Sequence, residues 1–200
     1  MNKYSFRFFD VIFSLLGLIL FLPLMGLIAV IIRIDSGGGI FYKQQRVGKD
    51  NRDFFLWKFR TMKTNADQQG LLTVGKSDVR ITGVGRLLRR FKLDELPQFI
   101  NVLKGEMSLV GPRPEVRKYV DLYTPAQLKI LSVKPGITDF ASVEYIHENE
   151  ILGNSQNPDK TYVEEIMPKK ISLNMEFINE PTLINYFRIL GKTIYKIVSN

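Results

Sequence analysis

The hydrophobic pattern is dominated by an uncharged run from Val11 to Ile32, near the start of the chain. About 20 apolar residues are enough for a helix to cross the hydrocarbon core of a bilayer. Pro23 lies in the middle of the run, where a proline removes a backbone hydrogen bond and bends or breaks a helix. The pattern therefore predicts a membrane helix that is interrupted near Pro23.

Basic residues flank this run on both sides: Lys3, Arg7, Arg33, Lys43 and Arg46. Positive residues favour the cytoplasmic face, so both ends of the run are drawn to the same side of the membrane. Each half of the run is about half as long as the hydrocarbon core is thick. A re-entrant helix-break-helix satisfies both observations. A kinked spanning helix stays open as the alternative, because such helices are common.

The rest of the pattern predicts a small hairpin and several short helices. Ile40–Arg46 and Phe54–Phe59 are typical of two strands joined by turn residues at 48–51, and a polar loop is expected at 65–77. Further expected elements are a helix at 84–91, a helix from Asp94 as N-cap to Gly105 as C-cap, a helix start at 124–125, a strand or extended segment at 140–145, and a helix at 162–167 ended by Pro168.

The last periodic segment, Leu183–Val198, predicts an amphipathic helix. Arg188, Lys192 and Lys196 recur at four-residue spacing beside a broad apolar surface. Such a helix lies in a membrane interface or packs its apolar face on the protein core, and the pattern leaves both open.

Composition narrows the possible chemistry. The chain has no cysteine and a single histidine, His147, which excludes thiolate chemistry and disfavours a Ser-His-Asp arrangement or a histidine-rich metal site. Any metal is therefore expected to be a hard, oxygen-liganded ion such as Mg²⁺. The net charge of +8 is compatible with nucleic acid, an anionic membrane or a phosphorylated substrate.

The candidate chemistry lies between Gly83 and Pro114. Two adjacent carboxylates, Asp94 and Glu95, follow a basic segment that contains Arg86, Arg89, Arg90 and Lys92. Asp94 at a helix N-terminus is either a cap alone or a carboxylate that binds Mg²⁺ or attacks phosphorus. Both interpretations remain open at this point.

Four basic residues are candidates for holding a diphosphate: Lys58, Arg60, Arg89 and Arg113. Arg113 stands in a rigid Gly-Pro-Arg-Pro turn, and its planar guanidinium matches phosphate oxygens. The sequence contains no Walker A motif, which argues against a P-loop NTPase. These residues indicate phosphoryl-directed chemistry at a membrane surface.

Lys58–Met62, Leu93–Pro114 and Lys134–Thr138 make the chain resemble the bacterial sugar transferase family, the small monotopic phosphoglycosyl transferases. The resemblance implies transfer of sugar-1-phosphate from a UDP-sugar to polyprenyl (undecaprenyl) phosphate, with release of UMP, as the first membrane step of glycan or exopolysaccharide assembly. It implies that Asp94 is the nucleophile of a covalent intermediate, that Glu95 is its partner, and that Mg²⁺ lies near Asp94. Lys58, Arg60, Arg89 and Arg113 match basic positions around that site.

The same resemblance implies a re-entrant N-terminal segment with its break at Pro23, on the cytoplasmic face of the bacterial inner membrane. Two positions depart from the family pattern: Leu22 replaces the usual serine before the proline, and Asp139 replaces the usual glycine. The departures bear on the depth of the membrane bend and on the selection of nucleotide or sugar.

Together these expectations describe a mainly helical α+β fold. Residues 1–36 form the membrane anchor, and residues 37–200 form a compact catalytic domain with a β-hairpin and the amphipathic helix 183–198. The expected partners are the UDP-sugar, the polyprenyl phosphate and the bilayer, while a homodimer and downstream glycosyltransferases stay open.

Two other functions compete with this one. The first is a non-catalytic membrane scaffold in which the acidic pair is only structural. The second is a nucleic-acid-binding protein, and it is disfavoured because core packing explains aromatic residues such as Trp57 more simply than base stacking does.

Overall fold

The computed structural model describes residues 3–70, 72–75, 78–145 and 147–199. Its elements confirm the mainly helical α+β fold, with a long apolar N-terminal helix and two small two-stranded sheets. Of the predicted polar loop at 65–77, Leu71, Lys76 and Ser77 lie outside the described residues, and Ala66–Gln69 forms a short 3-10 turn.

The N-terminal helix α1 (Lys3–Asp35) continues through Pro23. At 33 residues it is about 50 Å long, and the segment Phe6–Asp35 is apolar and long enough to cross a membrane. The predicted break in secondary structure at Pro23 is therefore wrong, while a bend of the continuous helix at Pro23 stays a prediction. A proline removes a single backbone hydrogen bond, and the turns on either side hold the helix together.

Helix α1 contacts the rest of the protein near both of its ends. Close to its start, Arg7 donates hydrogen bonds to the carbonyl oxygens of Val102 and Leu103. Close to its end, Ile32 is buried in a cluster with Phe59. Between these contacts one side of α1 stays buried at Ser14, Met25 and Ile28. The opposite, apolar face is exposed and includes Leu15, Leu16, Ile19, Leu20, Leu22, Leu27 and Val30.

The predicted hairpin is present, with β1 (Phe41–Val47) antiparallel to β2 (Asp53–Phe59). Helix α2 (Gly83–Arg90) follows, and the hydroxyl of Thr82 caps it by accepting a hydrogen bond from the amide of Gly85.

The prediction that Asp94 caps the next helix is wrong. Asp94 lies inside a 3-10 turn, Leu93–Glu95, and α3 (Gln98–Lys104) begins only after Pro97. Pro97 has no amide hydrogen and cannot donate to the preceding turn, while its φ of −62° suits a helix start. Gly105, at φ 83°, ends α3 in the left-handed conformation as predicted.

A short parallel pair, β3 (Ser108–Val110) and β4 (Gly136–Thr138), was not predicted. Between its strands lie α4 (Arg117–Val120) and a 3-10 turn, Gln127–Ser132. The strand expected at 140–145 is instead helix α5 (Phe140–Glu144), because the Asp139 carboxylate accepts the amide hydrogen of Ser142 and caps a helical turn.

Helices form the C-terminal part: α6 (Glu148–Gly153), α7 (Pro158–Thr161), a π-helical turn (Tyr162–Ile166), α8 (Met167–Asn179) and α9 (Leu183–Val198). The helical prediction at 162–167 is confirmed, but Pro168 does not end it. Proline is tolerated in a first helical turn, and Pro168 stands at the start of α8. Helix α9 buries Tyr186 and Ile189 while Ile184, Ile194 and Val198 stay exposed, so it packs on the core and also presents apolar surface.

Candidate active site

The carboxylate of Glu95 is held by two cations. Its Oε1 lies 2.5 Å from Nη2 of Arg113 and 3.3 Å from Nζ of Lys58, and its Oε2 lies 3.2 Å from Nη1 of Arg113. The side chain of Glu95 is only 12% exposed. A two-pronged contact between guanidinium and carboxylate fixes the direction of both groups. Strand β2 supplies Lys58, the 3-10 turn supplies Glu95, and the proline-flanked turn supplies Arg113.

This arrangement keeps Glu95 ionised. Burial raises its pKa, but the charges of Arg113 and Lys58 outweigh burial and hold the pKa well below the usual range. The Glu95 charge in turn raises the pKa of Arg113. A buried pair of this kind is costly to break, because either partner alone would be an uncompensated buried charge. Glu95 therefore acts as the fixed anchor for the two cations.

Lys58 is the cation whose charge is sensitive to pH. Burial lowers its pKa to about 8, against the opposing attraction of Glu95. Lys58 is thus largely protonated at neutral pH and loses its charge in mildly alkaline solution.

Asp94 differs from its neighbour Glu95. It is 5% exposed, and its Oδ1 atom has no hydrogen-bond partner in the part of the chain that the structure describes. Burial and the adjacent Glu95 charge raise its pKa, while Lys58, Arg89 and Lys92 oppose the rise. A buried carboxylate oxygen without a donor is energetically unfavourable, so this atom retains an unused capacity to accept a bond.

The local backbone explains why two adjacent carboxylates have different surroundings. Lys92 adopts the left-handed conformation at φ 57°, and a 3-10 turn begins directly after it. Successive residues of a 3-10 helix point about 120° apart, so Asp94 and Glu95 face different neighbours. The turn thereby separates an anchored carboxylate from an unsatisfied one.

Arg113 is positioned from behind by Asp139. The Oδ2 atom of Asp139 accepts hydrogen bonds from the Arg113 amide at 2.6 Å and from Nδ2 of Asn174 at 3.1 Å. Two glycines allow the approach of the backbones here, since a Cβ at Gly111 would lie 2.5 Å from the Lys134 carbonyl oxygen. A Cβ at Gly136 would likewise clash with Gly111.

The two other predicted phosphate-binding residues are placed differently. Arg89 lies at the edge of the site and donates to the hydroxyls of Thr61 at 2.9 Å and Thr73 at 3.0 Å. Arg60 donates to the carbonyls of Ser36 and Gly37, in the segment that follows α1. Its phosphate-binding role stays a prediction, and these hydrogen bonds favour a role in holding that segment.

A cavity of about 770 Å³ opens over these residues. Lys58, Asp94, Glu95 and Arg113 line one part of it. Other lining residues come from the C-terminal half, which the sequence analysis left without a role: Ser142, Tyr145, Glu148, Tyr162, Lys170 and Asn174. Two of these residues, Lys170 and Glu148, form an ion pair in which Nζ and Oε2 lie 2.7 Å apart.

A second buried charge pair, also missed, borders the same cavity. Nη1 of Arg46 lies 3.2 Å from Oε1 of Glu115, and the hydroxyl of Tyr162 donates to the other oxygen of Glu115. The signal available in the sequence was Glu115 directly after the Gly-Pro-Arg-Pro turn. Its distant partner Tyr162 gave no signal.

The fit of a divalent metal depends on Asp94. No group of three or more His, Cys, Asp or Glu side chains suited to a metal occurs within the described ranges. Mg²⁺ is often held by one or two carboxylates together with substrate phosphates and water. The unpartnered Oδ1 of Asp94 fits that kind of site, in which the substrate supplies the other oxygens.

Comparison with known proteins identifies similar sequences. The sequence model of the bacterial sugar transferase family matches residues 1–200. The chain is 45% identical over 196 residues to a UDP-N-acetylgalactosamine-undecaprenyl-phosphate N-acetylgalactosaminephosphotransferase of Aeromonas hydrophila, covering 96% of this chain and 43% of that protein. It is 35% identical over 199 residues to the UDP-glucose:undecaprenyl-phosphate glucose-1-phosphate transferase of Escherichia coli (strain K12), covering 98% of this chain and 40% of that protein.

A shorter relative is covered more fully. The chain is 33% identical over 191 residues to a UDP-glucose:undecaprenyl-phosphate glucose-1-phosphate transferase of Caulobacter vibrioides, covering 94% of this chain and 67% of that protein. The chain thus spans about two fifths of the length of the Aeromonas and Escherichia proteins.

Proposed function

The chain belongs to the bacterial sugar transferase family, and on that premise we propose that it transfers sugar-1-phosphate from a UDP-sugar to a polyprenyl phosphate such as undecaprenyl phosphate. The relatives named for such transfers support this proposal. The observation that carries it is Asp94, a buried carboxylate near Lys58, Arg89 and Lys92 whose Oδ1 has no partner among the described residues.

The proposed reaction has two displacements at phosphorus. An oxygen of Asp94 attacks the phosphorus that bears the sugar, and the bond from that phosphorus to the bridging oxygen breaks. The bridging oxygen leaves with the electron pair as part of UMP. An oxygen of the polyprenyl phosphate then attacks the same phosphorus, and the bond to Asp94 breaks, which restores the carboxylate. No proton transfer is needed for this balance.

The residues around Asp94 have separate tasks in this scheme. Arg113 and Lys58 stay fixed on Glu95 and present positive charge to the diphosphate, which stabilises charge that moves onto the leaving group. Arg89 adds charge at the edge of the site. Glu95 holds the cations rather than reacting, because both of its oxygens are occupied.

Mg²⁺ is proposed as the cofactor, held by Asp94 together with substrate oxygens. When bound, it would neutralise charge on the diphosphate. Chelation followed by addition of Mg²⁺, with UMP release as the readout, tests this requirement.

We place the site at the cytoplasmic face of a bacterial inner membrane, with α1 as a monotopic, re-entrant anchor. Support comes from the contacts of α1 with the same domain near both ends and from the apolar face that α1 exposes on its opposite side. A helix that crossed the bilayer straight would carry one end away from the domain. Accessibility of single cysteines placed before and after α1 in sealed vesicles tests the topology, since a re-entrant helix exposes both on one side.

The function is tested with purified protein, Mg²⁺, undecaprenyl phosphate and a panel of UDP-sugars. Release of UMP that depends on both substrates is the expected result. Failure to release UMP from any donor, with folded protein, would overturn the proposal. It would favour the scaffold function, which predicts that Asp94→Ala is tolerated in a complementation assay.

A further inference from the structure

Two residues that line the cavity each carry a buried polar atom without a partner in the described part of the protein. Oδ1 of Asn174 and Oγ of Ser142 accept or donate no hydrogen bond among the residues with described coordinates. Asn174 is 4% exposed, and both residues line the cavity that also contains Asp94 and Arg113. Folding removes such atoms from water without replacing the lost hydrogen bonds, which is unfavourable.

Asp139 fixes the positions of both residues. It accepts hydrogen bonds from the Ser142 amide, from Nδ2 of Asn174 and from the Arg113 amide. The orientation of the Asn174 amide follows from this contact, because only its NH₂ group can donate to the carboxylate. The Oδ1 atom must then point away from Asp139. The Asp139 carboxylate therefore fixes Ser142 and Asn174 relative to the backbone of Arg113.

The chemistry of these atoms defines the ligand. Oδ1 of Asn174 only accepts hydrogen bonds, and the Ser142 hydroxyl both accepts and donates. A hydroxyl or an amide N–H satisfies this pair, whereas a phosphate offers Asn174 no hydrogen. The pair is tied through Asp139 to the residue that faces the diphosphate. The ligand group therefore belongs to a part of the donor that is attached to the phosphates.

We propose that Ser142 and Asn174 form a subsite for a hydroxyl or amide group on the sugar of the donor, held in place by Asp139. This inference rests on the proposed function, because it assumes a UDP-sugar in the cavity. Asp139 acts as a positioning residue, and Ser142 and Asn174 select among sugars.

Ser142→Ala is the sharpest probe, because it removes the unpartnered hydroxyl and leaves the backbone hydrogen bond to Asp139 in place. We expect kcat/KM for the preferred donor to fall about 3- to 10-fold, the effect of one neutral hydrogen bond. Thermal stability of the ligand-free protein should stay the same or rise, since a buried unsatisfied group is lost. A purely structural serine would not give loss of catalysis with unchanged or increased stability.

Ser14→Ala is the matched control. Ser14 also has a fully buried hydroxyl with no partner within the described chain, but it lies in α1 and outside the cavity lining. It should leave kcat/KM unchanged for every donor. Asn174→Ala should lower kcat/KM at least as much as Ser142→Ala, because it also loosens Asp139.

Two further measurements distinguish a contact with the sugar from a contact with the ribose of the nucleotide. If the subsite binds the sugar, Ser142→Ala leaves inhibition by UDP unchanged and has no effect on one deoxy-sugar donor that lacks the contacted hydroxyl. Weaker inhibition by UDP would assign the contact to the ribose and overturn the proposal. Unchanged kcat/KM for all donors in Ser142→Ala would also overturn it, while absent turnover in the wild-type protein would instead count against the proposed function.

Discussion

Asp10 and Asp94 are both almost completely buried, at 2% and 5% exposure, yet their surroundings are opposite. Oδ1 of Asp10 accepts three hydrogen bonds, from the Ser108 hydroxyl at 2.9 Å, the Leu109 amide at 2.9 Å and the Tyr186 hydroxyl at 2.8 Å. Oδ1 of Asp94 accepts none from the described residues and is surrounded by cationic side chains instead. Burial alone does not distinguish a structural carboxylate from a reactive one. The distinction lies in whether hydrogen-bond donors contact the carboxylate or cationic side chains act on it without a hydrogen bond to that oxygen.

Asp94→Asn should give the largest effect and test the reactive half of this comparison. Loss of the nucleophile is expected to reduce UMP release at least about 1000-fold. Stability should not fall: the raised pKa of Asp94 means that the folded protein holds this charge less favourably than the unfolded chain. UMP release and thermal unfolding on the same preparation measure both. Turnover above a tenth of the wild-type value would exclude Asp94 as the nucleophile.

Asp10→Ala should lower stability and leave the turnover of the folded protein unchanged. It leaves three buried donors without an acceptor, and we expect a loss of about 2–5 kcal/mol in the free energy of unfolding. Denaturant titration of the protein in detergent measures this loss, with Ser14→Ala as the control for a change in the same helix. Asp10 would not be a structural anchor if stability were unaffected while turnover of the folded fraction collapsed.

Raising the pH removes the positive charge of Lys58 near Asp94, and this should give the next-largest effect. Because the pKa of Lys58 is lowered to about 8, kcat/KM should fall about tenfold per pH unit above that value as the ammonium is lost. Lys58→Arg should remove this alkaline fall, since arginine stays protonated.

A loss of stability through Lys58 would not explain this fall in kcat/KM. A lowered folded-state pKa makes the contribution of Lys58 to stability rise between about 8 and the ordinary value of 10.5. A pH profile of initial rates between about 6.5 and 9.5, on both proteins, provides the measurement. An unchanged alkaline limb in Lys58→Arg would assign the ionisation to another group.

Tyr186→Phe should give the smallest effect. It removes one of three donors to Asp10, at a cost of about 1 kcal/mol, and leaves the other two in place. We expect a small decrease in the denaturation midpoint and unchanged UMP release per folded molecule. A loss as large as that of Asp10→Ala would show that Tyr186 carries the whole contact.

Much of the fold follows from local pattern. The hairpin, the helix at α2, the glycine that ends α3 and the bounds of α9 were predicted because each depends on neighbouring residues. The failures depend on contacts that are distant in sequence or on single special residues. The strand predicted at 140–145 failed because Asp139 caps a helix, and the pairing of β3 with β4 joins segments that no local pattern connects.

The site was predicted in part for the same reason. Asp94, Glu95, Lys58 and Arg113 stand in recognisable segments, and the structure brings them together around Glu95. The distinction between the two carboxylates could not be predicted, because it arises from a 3-10 turn that follows a left-handed Lys92. Cavity-lining residues from the C-terminal half, such as Asn174, reach the site only through tertiary packing.

The hydrogen bond between Asp10 and Tyr186 joins residues 176 positions apart, and this separation constrains how the protein is made. Helix α1 is synthesised before α9 and is hydrophobic enough to enter a membrane before α9 exists. The hydrogen bond between Asp10 and Tyr186 can form only after α9 has emerged from the ribosome. Contacts between distant segments form slowly, because a long loop must close before they contribute. Helix α1 is therefore able to reach the bilayer well before its contact with α9 forms.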